Sequence, residues 1–154
     1  DGGLVQYQVA NSATLLGISN TGGSANCALS ILDNDIQGIH YAVAGTNANT
    51  YIINSAATLT QNISGNTFTN LSVNTTGAII FISNSVVMPA NGVQNINNNS
   101  IAGTPAPSFT RMAPSGALTL FTSTAATNNT RGISSLSGDE SELEEVRVFD
   151  AEVA

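Results

Sequence analysis

Gln61-Asn62-Ile63-Ser64-Gly65-Asn66-Thr67-Phe68-Thr69-Asn70-Leu71 is the phrase on which the chain is built. It returns as Gln94-Asn95-Ile96-Asn97-Asn98-Asn99-Ser100-Ile101-Ala102-Gly103-Thr104. A looser copy is Ser30-Ile31-Leu32-Asp33-Asn34-Asp35-Ile36-Gln37-Gly38-Ile39. With Asn34, Asn66 and Asn99 as the shared position, the copies stand 32 and 33 residues apart. A constant period of this length marks an architecture made by repetition.

A second phrase occupies the rest of each period. It reads Leu15-Leu16-Gly17-Ile18-Ser19-Asn20, Tyr51-Ile52-Ile53-Asn54-Ser55, Ala78-Ile79-Ile80-Phe81-Ile82-Ser83-Asn84 and Ala117-Leu118-Thr119-Leu120-Phe121-Thr122. Gly77 and Gly116 stand just before the last two. Short apolar runs divided by Asn, Ser, Gly and Thr are strands with turn chemistry between them. Residues 78–82 are a continuous apolar run, the pattern of a strand buried in a parallel sheet. The expected fold is all-β: a parallel β-helix of about four coils with a period of about 32 residues, each coil stacked on the last.

The asparagines fit that expectation physically. Asn accepts the left-handed backbone of a corner and can bond its own backbone there. Stacked coils place like amides above one another, where they form a ladder. The expected ladder pairs are Asn62 with Asn95 and Asn66 with Asn99. Ile63 over Ile96 and Phe68 over Ile101 are expected to stack inside.

Composition narrows the function classes. Charged residues are 8% of the 154, against about 25% in an ordinary domain. There is no Lys, and Arg111, Arg131 and Arg147 cannot make a surface that tracks phosphates, which argues against a nucleic-acid partner. The net charge of −7 comes from the end of the chain, where residues 139–152 hold seven of the ten acids. Residues 1–132 therefore read as the repeat region. Residues 133–154 read as an acidic linker and strand segment, with 134–138 linker-like and 142–149 alternating like a half-exposed strand or a short amphipathic helix. That acidic segment is expected to be solvated.

Along the chain, residues 4–9 and 57–60 also read as short strands, residues 21–24 as a turn and residues 104–115, with three prolines, as an excursion. The opening Asp1-Gly2-Gly3 reads as the middle of a longer protein. No apolar run is long enough for a transmembrane helix. Cys27, the one cysteine, forms no intrachain disulfide, and its apolar neighbours suggest a buried thiol.

Asp33, Asp35 and His40 are the one titratable cluster before the tail. Paired carboxylates on a strand could cleave a polysaccharide, as glycoside hydrolysis requires. The same oxygens could take Ca²⁺, although the later Gly and Glu of an EF-hand are missing. The plainer reading is a ladder corner where two Asp stand in place of Ser or Gly. A lyase would want a cation near the proton it removes, and the first is Arg111. No Gly-x-Ser-x-Gly or phosphate loop is present. Sequons begin at Asn62, Asn70, Asn74, Asn98 and Asn128, as chance allows in so Asn-rich a chain.

Residues 62–71, 77–85, 91–101 and 116–124 resemble the very large β-strand-repeat surface proteins of Bacteroidota. The resemblance covers residues 10–130. It implies a right-handed parallel β-helix, export through the type IX secretion system, and a place at the cell surface as an adhesin or filament. Its implied partners are the secretion machinery and an extracellular surface or polysaccharide ligand, with no catalytic residue and no cofactor. Leu143–Ala151 is similar to the last strand of laminin-G-like jelly rolls, over about ten residues. The expected function is thus a structural or adhesive segment of a large secreted bacterial surface protein. The alternatives are a carbohydrate-active β-helix enzyme centred on Asp33, Asp35 and His40, and a phage tailspike-like fibre.

Overall fold

A computed structural model describes residues 12–101 and 108–123, together with the backbone of the strands at 130–138 and 148–149. The described residues are all-β and contain no helix, hence none long and apolar enough to cross a membrane. The first pass of the chain contains β1 (Leu15–Asn20), β2 (Ala28–Leu32), β3 (Asp35–Gln37) and β4 (His40–Gly45). The second contains β5 (Asn49–Asn54), β6 (Thr60–Ser64), β7 (Thr67–Thr69) and β8 (Leu71–Thr75). Then come β9 (Ile79–Asn84), β10 (Val93–Ile101), β11 (Phe109–Arg111), β12 (Leu118–Ser123), β13 (Thr130–Gly138) and β14 (Val148–Phe149).

These strands form three sheets, and every pairing is parallel. The first sheet runs β1-β5-β9-β12-β14 and the third runs β4-β8-β11. The second runs β2-β6-β10-β7-β3, with β13 also on β10. β10 is unbroken where earlier passes bend, so it pairs with both β6 and β7. Successive passes thus lay equivalent phrases side by side: Ile31, Ile63, Ile96 and Ile133 are register partners in turn.

The core lies among these sheets. Ile63 and Ile96 stack as expected, and Phe68 and Ile101 are both buried in the same cluster. An aromatic column runs through it. Tyr51 and Phe81 have ring centroids 5.1 Å apart, Phe68 and Phe81 5.2 Å, and Phe81 and Phe109 5.2 Å. The last two pairs meet edge to face, the arrangement favoured by ring quadrupoles. Each such side chain contributes roughly 1.5–3 kcal/mol on burial.

Strand neighbours normally face opposite sides. Tyr51 and Ile52 are nevertheless both fully buried, as are Phe81 and Ile82. The register explains this. Thr50 pairs with Ile80 and Ile52 with Ile82, while the level of Tyr51 and Phe81 is skipped. The strands change phase at that level, so two successive residues turn inward.

Several sequence expectations are corrected. Residues 57–59 are not strand; the chain enters β6 only at Thr60. The proline-rich excursion contains β11, which seats Phe109 in the core. Residues 134–138 belong to β13 rather than a linker, and β13 runs through residue 132 without a break. The expected strand at 4–9 and the segment 142–147 lie outside the described residues.

Candidate functional site: the asparagine ladders

The corner of the second sheet is made by two adjacent residues with different tasks. The left-handed backbone falls on Asp33 (φ 53°), Gly65 (φ 69°) and Asn98 (φ 54°). The ladder residues are the next ones, Asn34, Asn66 and Asn99, none of which has positive φ. The expectation that one asparagine would serve as both corner and ladder is therefore corrected. Turning the chain needs a residue that tolerates αL. Bridging passes needs an amide aimed inward along the stack.

Asn66 shows how the ladder closes. Its Oδ1 accepts from the backbone N of Asn34 at 3.1 Å and from Asn34 Nδ2 at 2.8 Å. Its Nδ2 donates to Asn99 Oδ1 at 2.8 Å and to the Ile31 carbonyl at 3.0 Å. Two acceptor sites and two donor hydrogens are the full capacity of the amide. Asn99 repeats the pattern: its Oδ1 accepts from Asn66 N at 3.1 Å, and its Nδ2 donates to the Ile63 carbonyl at 2.9 Å. Asn66 and Asn99 are buried, where such saturation matters most. β13 places Leu136 beside Asn99, so the asparagine column ends there.

A second ladder closes the first sheet. Asn20 Nδ2 donates to Asn54 Oδ1 at 2.8 Å, and Asn54 Nδ2 to Asn84 Oδ1 at 2.7 Å. Asn84 Nδ2 then donates to Gln61 Oε1 at 2.6 Å, which also accepts from Gln94 Nε2 at 3.1 Å. Ser123 Oγ donates to Gln94 Oε1 at 2.9 Å. This buried network ties the first sheet to the second. Sequence reasoning missed it, although Asn20, Asn54 and Asn84 stand at or next to the end of successive copies of the second phrase.

Asn62 and Asn95 are register partners, as paired from the sequence, but each is half-buried and flanks the inward Ile63 or Ile96. Asn62 Oδ1 takes the hydroxyl of Ser64 on its own strand. That pair therefore belongs to the outer face of the second sheet, outside both ladders.

The acidic corner is spread over two sheets. Asp35 lies on β3, its Oδ1 accepting from Thr67 Oγ1 at 3.0 Å and its Oδ2 from Gln37 Nε2 at 2.8 Å. His40 lies on β4, with Nδ1 2.8 Å from Ser72 Oγ. Asp33 is exposed, its carboxylate lying where a Cβ on Gly65 would fall. Among the described residues, no three His, Cys, Asp or Glu side chains converge to hold a metal ion.

Two further residues differ from expectation. Cys27 is exposed, not buried. It ends a turn in which its N–H bonds the Ser24 carbonyl at 3.0 Å, with Sγ 3.1 Å from Ser24 Oγ. The Ser24 hydroxyl, and then its backbone, hold the thiol pKa below its ordinary value. Arg111 fastens backbone: its Nη1 bonds the Gly116 carbonyl, and its Nη2 bonds that of Ala117 at 2.9 Å. Gly77 and Gly116 have no room for a Cβ, which would meet carbonyl oxygens of the preceding pass at 2.5 and 2.6 Å.

No protein-family profile, curated protein or solved structure matches the chain.

Proposed function

We propose that the chain is a structural segment of a larger secreted bacterial surface protein, folded as a parallel β-helix that serves as a rod or an adhesive stalk. The observation that carries this reading is the column Asn34–Asn66–Asn99, in which the same amide-to-amide bond recurs from pass to pass. Such a column makes each pass depend on its neighbours, the property a stiff, extendable element needs. The shortage of charge and the Thr, Ser and Asn on the outer faces suit an adhesive surface that meets polysaccharide or another cell. The phrases at 62–71 and 116–124 add the likeness to Bacteroidota repeat proteins, with export through type IX secretion.

Surface display is testable through Cys27, the chain's one thiol. A membrane-impermeant maleimide is expected to label it on intact cells of the native source. Labelling only after lysis would overturn the extracellular reading.

A further inference from the structure

We infer that the open end of the stack at β1, β2 and β3 is a docking face for one more pass of the same kind. This inference rests on the rod reading above and specifies the chemistry of its growth. Both ladders have the same polarity. In each bond between ladder asparagines, the amide nitrogen belongs to the earlier pass and the accepting oxygen to the following one. At the first described pass this leaves Asn20 Oδ1 and Asn34 Oδ1 facing outward, with no donor among the described residues. Both are acceptors, so the occupant must bring amide donors at two fixed positions.

Three other features lie at the same end. β1 ends the first sheet, and β2 and β3 end the second. Inward residues there, including Ile18, Leu29 and Ile36, are only half-buried, whereas their second-pass counterparts Ile52, Gln61 and Phe68 are fully buried. A hollow of about 310 Å³ opens there, lined by Ile18, Ser30, Ile31, Leu32 and Asn34. β1 and β2 contain neither a charge nor a proline to block strand addition, and the charges at this edge are Asp33 and Asp35 at the corner into β3. Residues 1–11 are too few for the occupant, since register partners on successive passes stand 30 to 34 residues apart.

The polarity also selects among occupants. A second copy meeting this end face to face would set acceptor against acceptor. A parallel pass carrying asparagine at the positions of Asn54 and Asn66 would complete both ladders and fill the hollow. The occupant is therefore a preceding β-pass of this repeat, uncharged and with asparagine at both ladder positions.

The test inserts a copy of residues 46–76 between Asn11 and Ser12 of the full chain and follows amide hydrogen exchange. The inserted copy is expected to be protected, and exchange in β1 and β2 to slow about tenfold or more. Leucine or serine at the copy's two ladder asparagines should remove most of that slowing. Serine keeps the pass foldable, so a leucine copy that fails to fold does not decide the result. An inserted pass that exchanges like unfolded chain, or a serine copy that protects equally well, would overturn the inference. So would a face-to-face dimer of the unmodified chain in sedimentation, with β1 and β2 already protected. If the insertion docks but the native polypeptide has no neighbouring repeats, the rod reading fails and the docking chemistry stands.

Discussion

Asn34 gives both its backbone N–H and its side-chain Nδ2 to a single atom, Oδ1 of Asn66, 32 residues further along the chain. One amide thereby fixes the register of two passes and fills the donors at a corner. Asn66→Ala removes that acceptor, together with the donors to Ile31 and Asn99. Leaving a buried polar group unpaired costs about 1–3 kcal/mol, and several are orphaned here. Asn66→Ala is expected to lose about 3 kcal/mol or more in urea unfolding, against less than about 1 kcal/mol for Asn62→Ala on the outer face. Equal losses would mean that the inner ladder has no special role.

Gly65 has φ 69°, and an added Cβ would fall 2.1 Å from Asp33 Oδ1. Left-handed backbone costs a β-carbon roughly 1–2 kcal/mol before any clash. Gly65→Ala should therefore destabilise by about 2 kcal/mol. Asn98→Gly, at the equivalent corner, should be close to neutral or slightly stabilising. Thermal midpoints of the two variants check the pair.

Tyr51 lies wholly inside the core, and its hydroxyl has no hydrogen-bond partner among the described residues. Burial pushes its pKa well up, with a smaller push from Tyr41. The folded state thus keeps the proton that the unfolded state releases near pH 10. Its contribution to stability is constant below about pH 10 and is lost as pH rises above it, by up to about 1.4 kcal/mol per pH unit. Tyr51→Phe should flatten that alkaline limb and change little at neutral pH. Unfolding midpoints measured from pH 8 to 11 give the answer.

Cys27 should react with iodoacetamide in the folded protein, because the thiol is exposed and Ser24 favours the thiolate. Ser24→Ala should move the pH midpoint of alkylation upward. An unchanged midpoint would remove Ser24 as the cause.

The period was legible because each pass repeats its chemistry: Ile63 over Ile96 and Asn66 over Asn99 follow from aligning two phrases. The face of each asparagine was harder to read. Alternation puts Asn62 outside once Ile63 is inside, whereas the corner at Gly65 resets the phase and turns Asn66 inward. Asn20, Asn54 and Asn84 were visible at or next to phrase ends, but their link to Gln61 and Gln94 crosses two sheets and has no local signal. Phe109 was hidden by flanking prolines, which mark the loop without excluding a three-residue strand. Cys27 was misplaced because apolar neighbours say little about a residue at the end of a turn.

The central claim is that these passes belong to a longer ladder-built rod. The most direct measurement is peptide mapping by mass spectrometry of the polypeptide from its native source. The account predicts abundant peptides beyond Asp1 and Ala154, joined to this chain and carrying the same asparagine-ended phrases at a period near 32 residues. A native polypeptide ending at Asp1 and Ala154 would contradict it.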